Sequence, residues 1–181
     1  MEVQMPSLIS PETIFLKELF RHFSLREVRY AVMRNYDALP ESAGGSDLDI
    51  LVALHDIELA KRVLLDAVDS VNGKVIGVVR TSNFFEVYIM GRTCGEWWGV
   101  CVELYSGVSF KSAVPLVDID ALHERFEWHN KISVIPKDIG NTIGFVKELL
   151  SNGEPRKDKP QYFTSTSVLL SRNLSLFREV F

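Results

Sequence analysis

Gly44-Gly45-Ser46-Asp47-Leu48-Asp49-Ile50-Leu51-Val52 is the stretch on which the reading of this chain turns. A polar, glycine-bearing lead runs into a short aliphatic segment with acids at alternate positions, the pattern of a strand from Asp47 to Val52. Residues two apart in a strand project from one face, so Asp47 and Asp49 stand side by side while Leu48 and Ile50 turn into the core. Adjacent carboxylates repel unless a cation lies between them, and hard oxygen donors suit Mg²⁺ or Mn²⁺. The glycines let backbone approach a bulky ligand such as a triphosphate, which makes Gly45 and Ser46 candidate phosphate contacts.

The flanking sequence supplies the layers around this strand. Upstream, Ser10-Pro11-Glu12 is a helix start, and Phe15, Leu19 and Phe23, with Leu16 and Phe20 alongside, make the buried stripe of a helix running to about Phe23. Arg29 to Met33 reads as a strand, and Arg34 to Ser46 as a loop. Downstream, Ala60, Val63, Leu64, Ala67, Val68 and Val71 recur at helical spacing, predicting a helix from His55 or Asp56 to Ser70. Val75–Arg80 and Phe84–Met90 read as strands, Gly91 to Gly95 as a hairpin turn, and the following residues as a strand ending near Tyr105. Ile139, Ile143, Val146 and Leu150 mark a helix introduced by Pro136 and stopped at Asn152-Gly153. Gln161 to Phe181 reads as helical. The expected fold is α+β (α/β), a mixed sheet flanked by helices, with residues 1–135 as the core and 136–181 as a helical extension packed on it.

Composition bounds the rest. The 181 residues carry 20 basic and 24 acidic side chains, with 46% hydrophobic and 24% charged content, which fits one compact domain and excludes disordered, collagenous and coiled-coil chains. A net charge of −4 disfavours a long nucleic-acid substrate held by bulk charge. Met1 to Ser10 lacks a signal-peptide pattern, no window has membrane-spanning length, and the two cysteines are too few for a disulfide framework. A cytoplasmic protein is expected.

A site built on two metals needs a further acid. Glu103 stands alone near the end of the apolar run Gly99-Val100-Cys101-Val102-Glu103-Leu104. An acid facing a core unpaired is costly, and metal coordination beside Asp47 and Asp49 removes that cost. The competing reading is a surface acid at a strand end.

At this point the chain resembles the nucleotidyltransferase superfamily of polymerase-beta-like fold, in which one strand carries D-x-D and a neighbouring strand a third acid. It is most similar to a bacterial subgroup with R-N-Y-x-x-L-P-E, here Arg34-Asn35-Tyr36-Asp37-Ala38-Leu39-Pro40-Glu41-Ser42, followed by G-G-S-D-x-D, here Gly44 to Asp49. A later segment of that subgroup matches Glu103-Leu104-Tyr105-Ser106-Gly107-Val108-Ser109-Phe110-Lys111. The resemblance covers residues 29–111. It implies transfer of a nucleoside monophosphate from a nucleoside triphosphate (NTP) to an acceptor hydroxyl, with pyrophosphate leaving. Asp47 and Asp49 would bind Mg²⁺ or Mn²⁺, and Glu103 would hold the second metal or take the acceptor proton. Arg34, Asn35 and Lys111 would be phosphate contacts, and the acceptor a small molecule, glycan or protein, with surface polysaccharide biosynthesis suggested by the subgroup.

Two departures accompany the resemblance. Arg34-Asn35 stands where most members have Gly-Ser, and the third acid is Glu where Asp is common. An inactive nucleotide-binding module of the same fold therefore competes with the enzyme, and a D-x-D glycosyltransferase is a third reading. Lys111 and the cluster Arg156-Lys157-Asp158-Lys159 read first as solvated surface, with phosphate contact as the alternative for Lys111 and an acidic partner or phosphates for the cluster. Of Trp97 and Trp98, one is expected to face the core and the other is a candidate to stack on a ring. Cys94, Cys101, His123 and His129 have the residue order of a zinc site without finger spacing.

Overall fold

Ser10 opens the first helix as its sequence context predicts: its hydroxyl accepts the Thr13 amide at 3.1 Å, and Pro11 sits at the first helical position. The computed structural model describes residues 9–81, 84–93, 95–110, 114–117, 119–154 and 157–172. Its elements run α1 (Pro11–Leu25), β1 (Tyr30–Val32), β2 (Leu48–Val52), α2 (Ile57–Ser70), β3 (Lys74–Arg80), β4 (Phe84–Thr93), β5 (Glu96–Tyr105), β6 (Val108–Phe110), β7 (Val114–Val117), α3 (Ile119–Leu122), β8 (Glu127–His129), β9 (Ile132–Val134), α4 (Lys137–Asn152) and α5 (Pro160–Arg172). The class is α+β.

Seven strands form one mixed sheet in the order β3-β4-β5-β2-β1-β9-β8, and β6 and β7 pair separately. The parallel pairs are β2 with β5 and β1 with β9. The remaining pairs are antiparallel. Alternation then sorts the side chains into two cores. On one face Leu48, Ile50 and Val52 join Phe85, Val87, Ile89, Val100, Val102 and Leu104 under the apolar stripes of α1 and α2. On the other, Ala31, Met33 and Leu51 pack with Ile119, Leu122, Ile139 and Ile143 from α3 and α4. That second core reaches β5 only through Tyr105, so the other side chains of β4 and β5 on this face (Glu86, Tyr88, Met90, Trp97, Cys101 and Glu103) lie outside both apolar cores.

Several boundaries differ from expectation. β4 continues through Gly91 to Thr93, so the first three residues of the predicted turn at Gly91 to Gly95 are strand instead. Gly91 is a strand residue because Trp98 packs over it; a Cβ there would meet the indole at 2.5 Å. β2 begins at Leu48 rather than Asp47. The α2 region starts with a 3₁₀ turn at Leu54–Asp56. The β8–β9 hairpin and the β6–β7 ribbon were not expected, since strands of three or four residues carry too little alternation to register. Helix α4 ends as predicted at Gly153, whose φ of 77° is the left-handed stop. Helix α5 packs on α4 through Tyr162 against Gly144 and an Asn141 Nδ2 to Ser165 Oγ bond of 2.9 Å. Residues 173–181 lie outside the described residues.

Candidate active site

Register assembles the site. In the parallel pair β2–β5, Asp49 is opposite Glu103; in the antiparallel pair β4–β5, Glu86 is opposite Glu103. Paired residues share a face, so Asp49, Glu103 and Glu86 form a row of carboxylates across three strands, each about 4.8 Å from the next strand. Asp47 lies just before β2 and is exposed, whereas Asp49 is only 1% exposed. The expected side-by-side pair of aspartates is thus one surface acid and one buried acid.

The row is electrostatically strained. Partial burial, contact with Asp49 and the charges of Asp49 and Asp47 push the Glu103 carboxyl up to about 7, against a lowering hydrogen bond from the Tyr105 hydroxyl. Glu103 is half-buried, so it is not a solvated strand-end acid. Asp49 Oδ2 accepts from Arg34 Nε at 2.5 Å, and the same guanidinium donates through Nη1 to the Tyr162 hydroxyl at 2.8 Å. Burial opposes the Arg34 charge, but the bond and charge of Asp49 outweigh it and hold the guanidinium firmly protonated. Asp49 Oδ1 is buried without a hydrogen-bond partner.

The turn before β2 is held by α1. Glu12 Oε1 accepts from the Ala43 amide at 2.6 Å and the Ser42 hydroxyl at 3.1 Å, and Ser42 Oγ accepts from the Gly44 amide at 2.9 Å. Gly44 and Gly45 both take φ +70° with open space where a Cβ would stand. Asn35, also left-handed at φ 58°, donates from Nδ2 to Ser46 Oγ at 3.4 Å. Beyond the turn lies an open cleft of about 540 Å³, lined by Gly45, Ser46 and Asp47 on one side and by Tyr88, Trp97 and Cys101 of the bare sheet face on the other.

The remaining candidates divide. Lys111 and Cys94 lie outside the described residues. Trp98 is buried against Phe15 at 5.6 Å between ring centres, while Trp97 is 66% exposed beside the cleft. Among the described residues no Cys-His zinc grouping forms: His129 packs on Tyr36 and His123 on Phe126, whereas Cys101 groups with Glu86 and Glu103. Sequence reasoning missed Glu86, Glu12 and Tyr162. Glu86 alternates with apolar residues like any half-exposed strand residue, and only register brings it beside Glu103. Tyr162 of α5 accepts from Arg34, 128 positions earlier in the chain, which no local pattern reports.

The donor chemistry fits a divalent cation. A buried carboxylate oxygen without a donor, beside a second carboxylate held partly protonated, is the arrangement a cation relieves. The described residues contain a cluster of acidic and thiol groups (Glu86, Cys101 and Glu103) able to converge on an ion. No helix among them is long and apolar enough to cross a membrane.

Compared with protein-family models and with curated protein sequences, the chain matches none. Among solved structures it is similar to JHP933 from Helicobacter pylori, at 12% identity and a TM-score of 0.48, over 94% of this chain and 71% of that one.

Proposed function

We propose that this protein is a metal-dependent nucleotidyltransferase that moves a nucleoside monophosphate from an NTP to an acceptor hydroxyl. The observation that carries the reading is the register pair Asp49–Glu103, with Asp47 at the mouth of a cleft and a glycine turn alongside. Asp47, Asp49 and Glu103 would hold Mg²⁺ or Mn²⁺, which when bound stabilises the attacking and leaving oxygens of an in-line displacement. The Gly44-Gly45 turn leaves backbone space for the phosphates, with Ser46 and Asn35 beside it. Arg34 is fixed at the Asp49 end of the site as a guanidinium donor. The cleft past Asp47 would take the acceptor. The acceptor that the resemblance implies is a small molecule, a glycan of surface polysaccharide or a protein.

A second reading, a nucleotide-binding module without turnover, is favoured by one observation: Asp49 already has a counter-ion in Arg34. Pyrophosphate release from each NTP with Mg²⁺ or Mn²⁺, over an acceptor panel, separates the two when run beside calorimetric NTP binding. The enzyme reading expects release that disappears in D47N and D49N. Binding with no release from any NTP supports the module, and no binding at all defeats both.

A further inference from the structure

The bare sheet face holds a second donor set beside the two aspartates. Cys101 and Glu103 are two apart on β5 and so share a face, and Glu86 lies opposite Glu103 on β4. One ligand atom from each of Glu86, Cys101 and Glu103 lies within 4.8 Å of the others, and the Cys101 thiol donates to Glu86 Oε1 at 3.6 Å. Phenols hold both carboxylates from outside: the Tyr88 hydroxyl donates to Glu86, and the Tyr105 hydroxyl to Glu103. Outer hydrogen bonds of this kind orient metal-ligating carboxylates.

An acidic cluster alone is commonly just solvated, but a separate feature points to a cation here. Asp49, next in the row and in contact with Glu103, keeps Oδ1 buried and without a donor. Arg34 pairs with Oδ2 alone, so beside a second carboxylate Oδ1 is left as a buried acceptor that a proton or a further cation satisfies.

We infer that Glu86, Cys101 and Glu103 form a mixed thiolate–carboxylate site for a borderline divalent cation, Zn²⁺ or Co²⁺ in preference to Mg²⁺. The sulfur sets the preference, because a thiolate suits softer ions while Mg²⁺ selects oxygen alone. Zinc bonds of about 2.3 Å to sulfur and 2.0 Å to oxygen require only a modest approach of the three side chains. Cys101 also lines the cleft, so a water or a substrate oxygen can complete the coordination. Binding exchanges the thiol proton for the metal: an S–metal bond forms, the S–H bond breaks, and the proton passes to solvent with no change of oxidation state. The site shares Glu103 with the proposed transferase centre but does not depend on transfer occurring.

Co²⁺ titration of the full chain, followed by thiolate-to-cobalt absorption in the near ultraviolet, tests this. The expected band saturates with one ion per chain, is lost in C101S, persists in C94S and D47N, and needs at least about ten-fold more Co²⁺ in E86Q. A wild-type titration without the band overturns the proposal, as does a band that survives C101S and vanishes in C94S. Because C101S could misfold, the wild-type chain supplies a second measurement: Zn²⁺, but not Mg²⁺, should slow alkylation of Cys101 followed by peptide mass. Equal rates with and without Zn²⁺ overturn it as well. Loss of pyrophosphate release in D47N with the band intact keeps the two readings separable.

Discussion

Arg34 and Asp49 form an ion pair at the inner end of the site, Nε to Oδ2 at 2.5 Å, and the same guanidinium reaches the Tyr162 hydroxyl on α5. One side chain thus neutralises the buried acid and ties the C-terminal helices to the sheet. Removing it in R34A leaves Asp49 uncompensated, and a cost of about 2–3 kcal/mol is expected, at or below the low end for buried pairs because Arg34 is partly exposed. R34K recovers little, since an ammonium lacks the fork that meets two partners. Y162F, which removes one hydrogen bond, costs only about 1 kcal/mol. Urea unfolding in chelator measures all three. Divalent metal should stabilise R34A more than the wild type, because it replaces the missing cation.

Glu103 sets a pH dependence whose sign is opposite to that of a salt-bridged acid. Its folded pKa of about 7 lies above its ordinary value of 4.5, so the native state binds the proton more tightly than the unfolded chain. Its contribution is therefore fully present below about pH 4.5 and is lost as pH rises to 7. In chelator, the thermal midpoint should fall across that window, and E103Q should flatten the trend. Saturating divalent metal should remove the fall in the wild type, because the ion stabilises the charged carboxylate.

The two tryptophans should separate cleanly. W98A empties a core position against Phe15 and Gly91, and a loss of about 3–5 kcal/mol is expected. W97A should leave stability within about 0.5 kcal/mol and, under the transferase reading, raise the apparent KM for an acceptor bound in the cleft. Denaturant curves and acceptor kinetics on the same preparations check both.

Glycine substitutions distinguish packing from backbone conformation. A Cβ at Gly140 would lie 2.4 Å from the Met33 carbonyl oxygen, so G140A must push α4 off the sheet, at about 3 kcal/mol. Gly44 has open space around it but φ +70°, so G44A costs only about 1–2 kcal/mol of backbone strain. Thermal melts should rank G140A well below G44A, while G44A should weaken NTP binding by altering the turn.

The layers around the site were legible because their signals are local. Ser10 and Pro11 start α1, the Ala60–Val68 spacing makes α2 amphipathic, and Gly153 stops α4, each through interactions within a turn or two of chain. The three-residue strands β8 and β9 escaped, since so short a run shows no period that distinguishes it from a loop. Glu86 escaped for a different reason: its significance lies in standing opposite Glu103, and register between strands is not encoded in either strand alone.

The sequence by itself determined that an acid-bearing strand follows a glycine turn, that a lone acid sits in a later apolar strand, and that helices cover the sheet. Those are consequences of side-chain periodicity and backbone preference, which act over a few residues. The tertiary structure alone decided that β2 lies parallel to β5 with Asp49 opposite Glu103, that Asp49 is buried while Asp47 is exposed, and that Arg34 finds Tyr162. These relationships join residues dozens to more than a hundred positions apart. Their physical basis is the packing of two apolar cores on opposite faces of one sheet, which leaves the acidic face of β4 and β5 outside both.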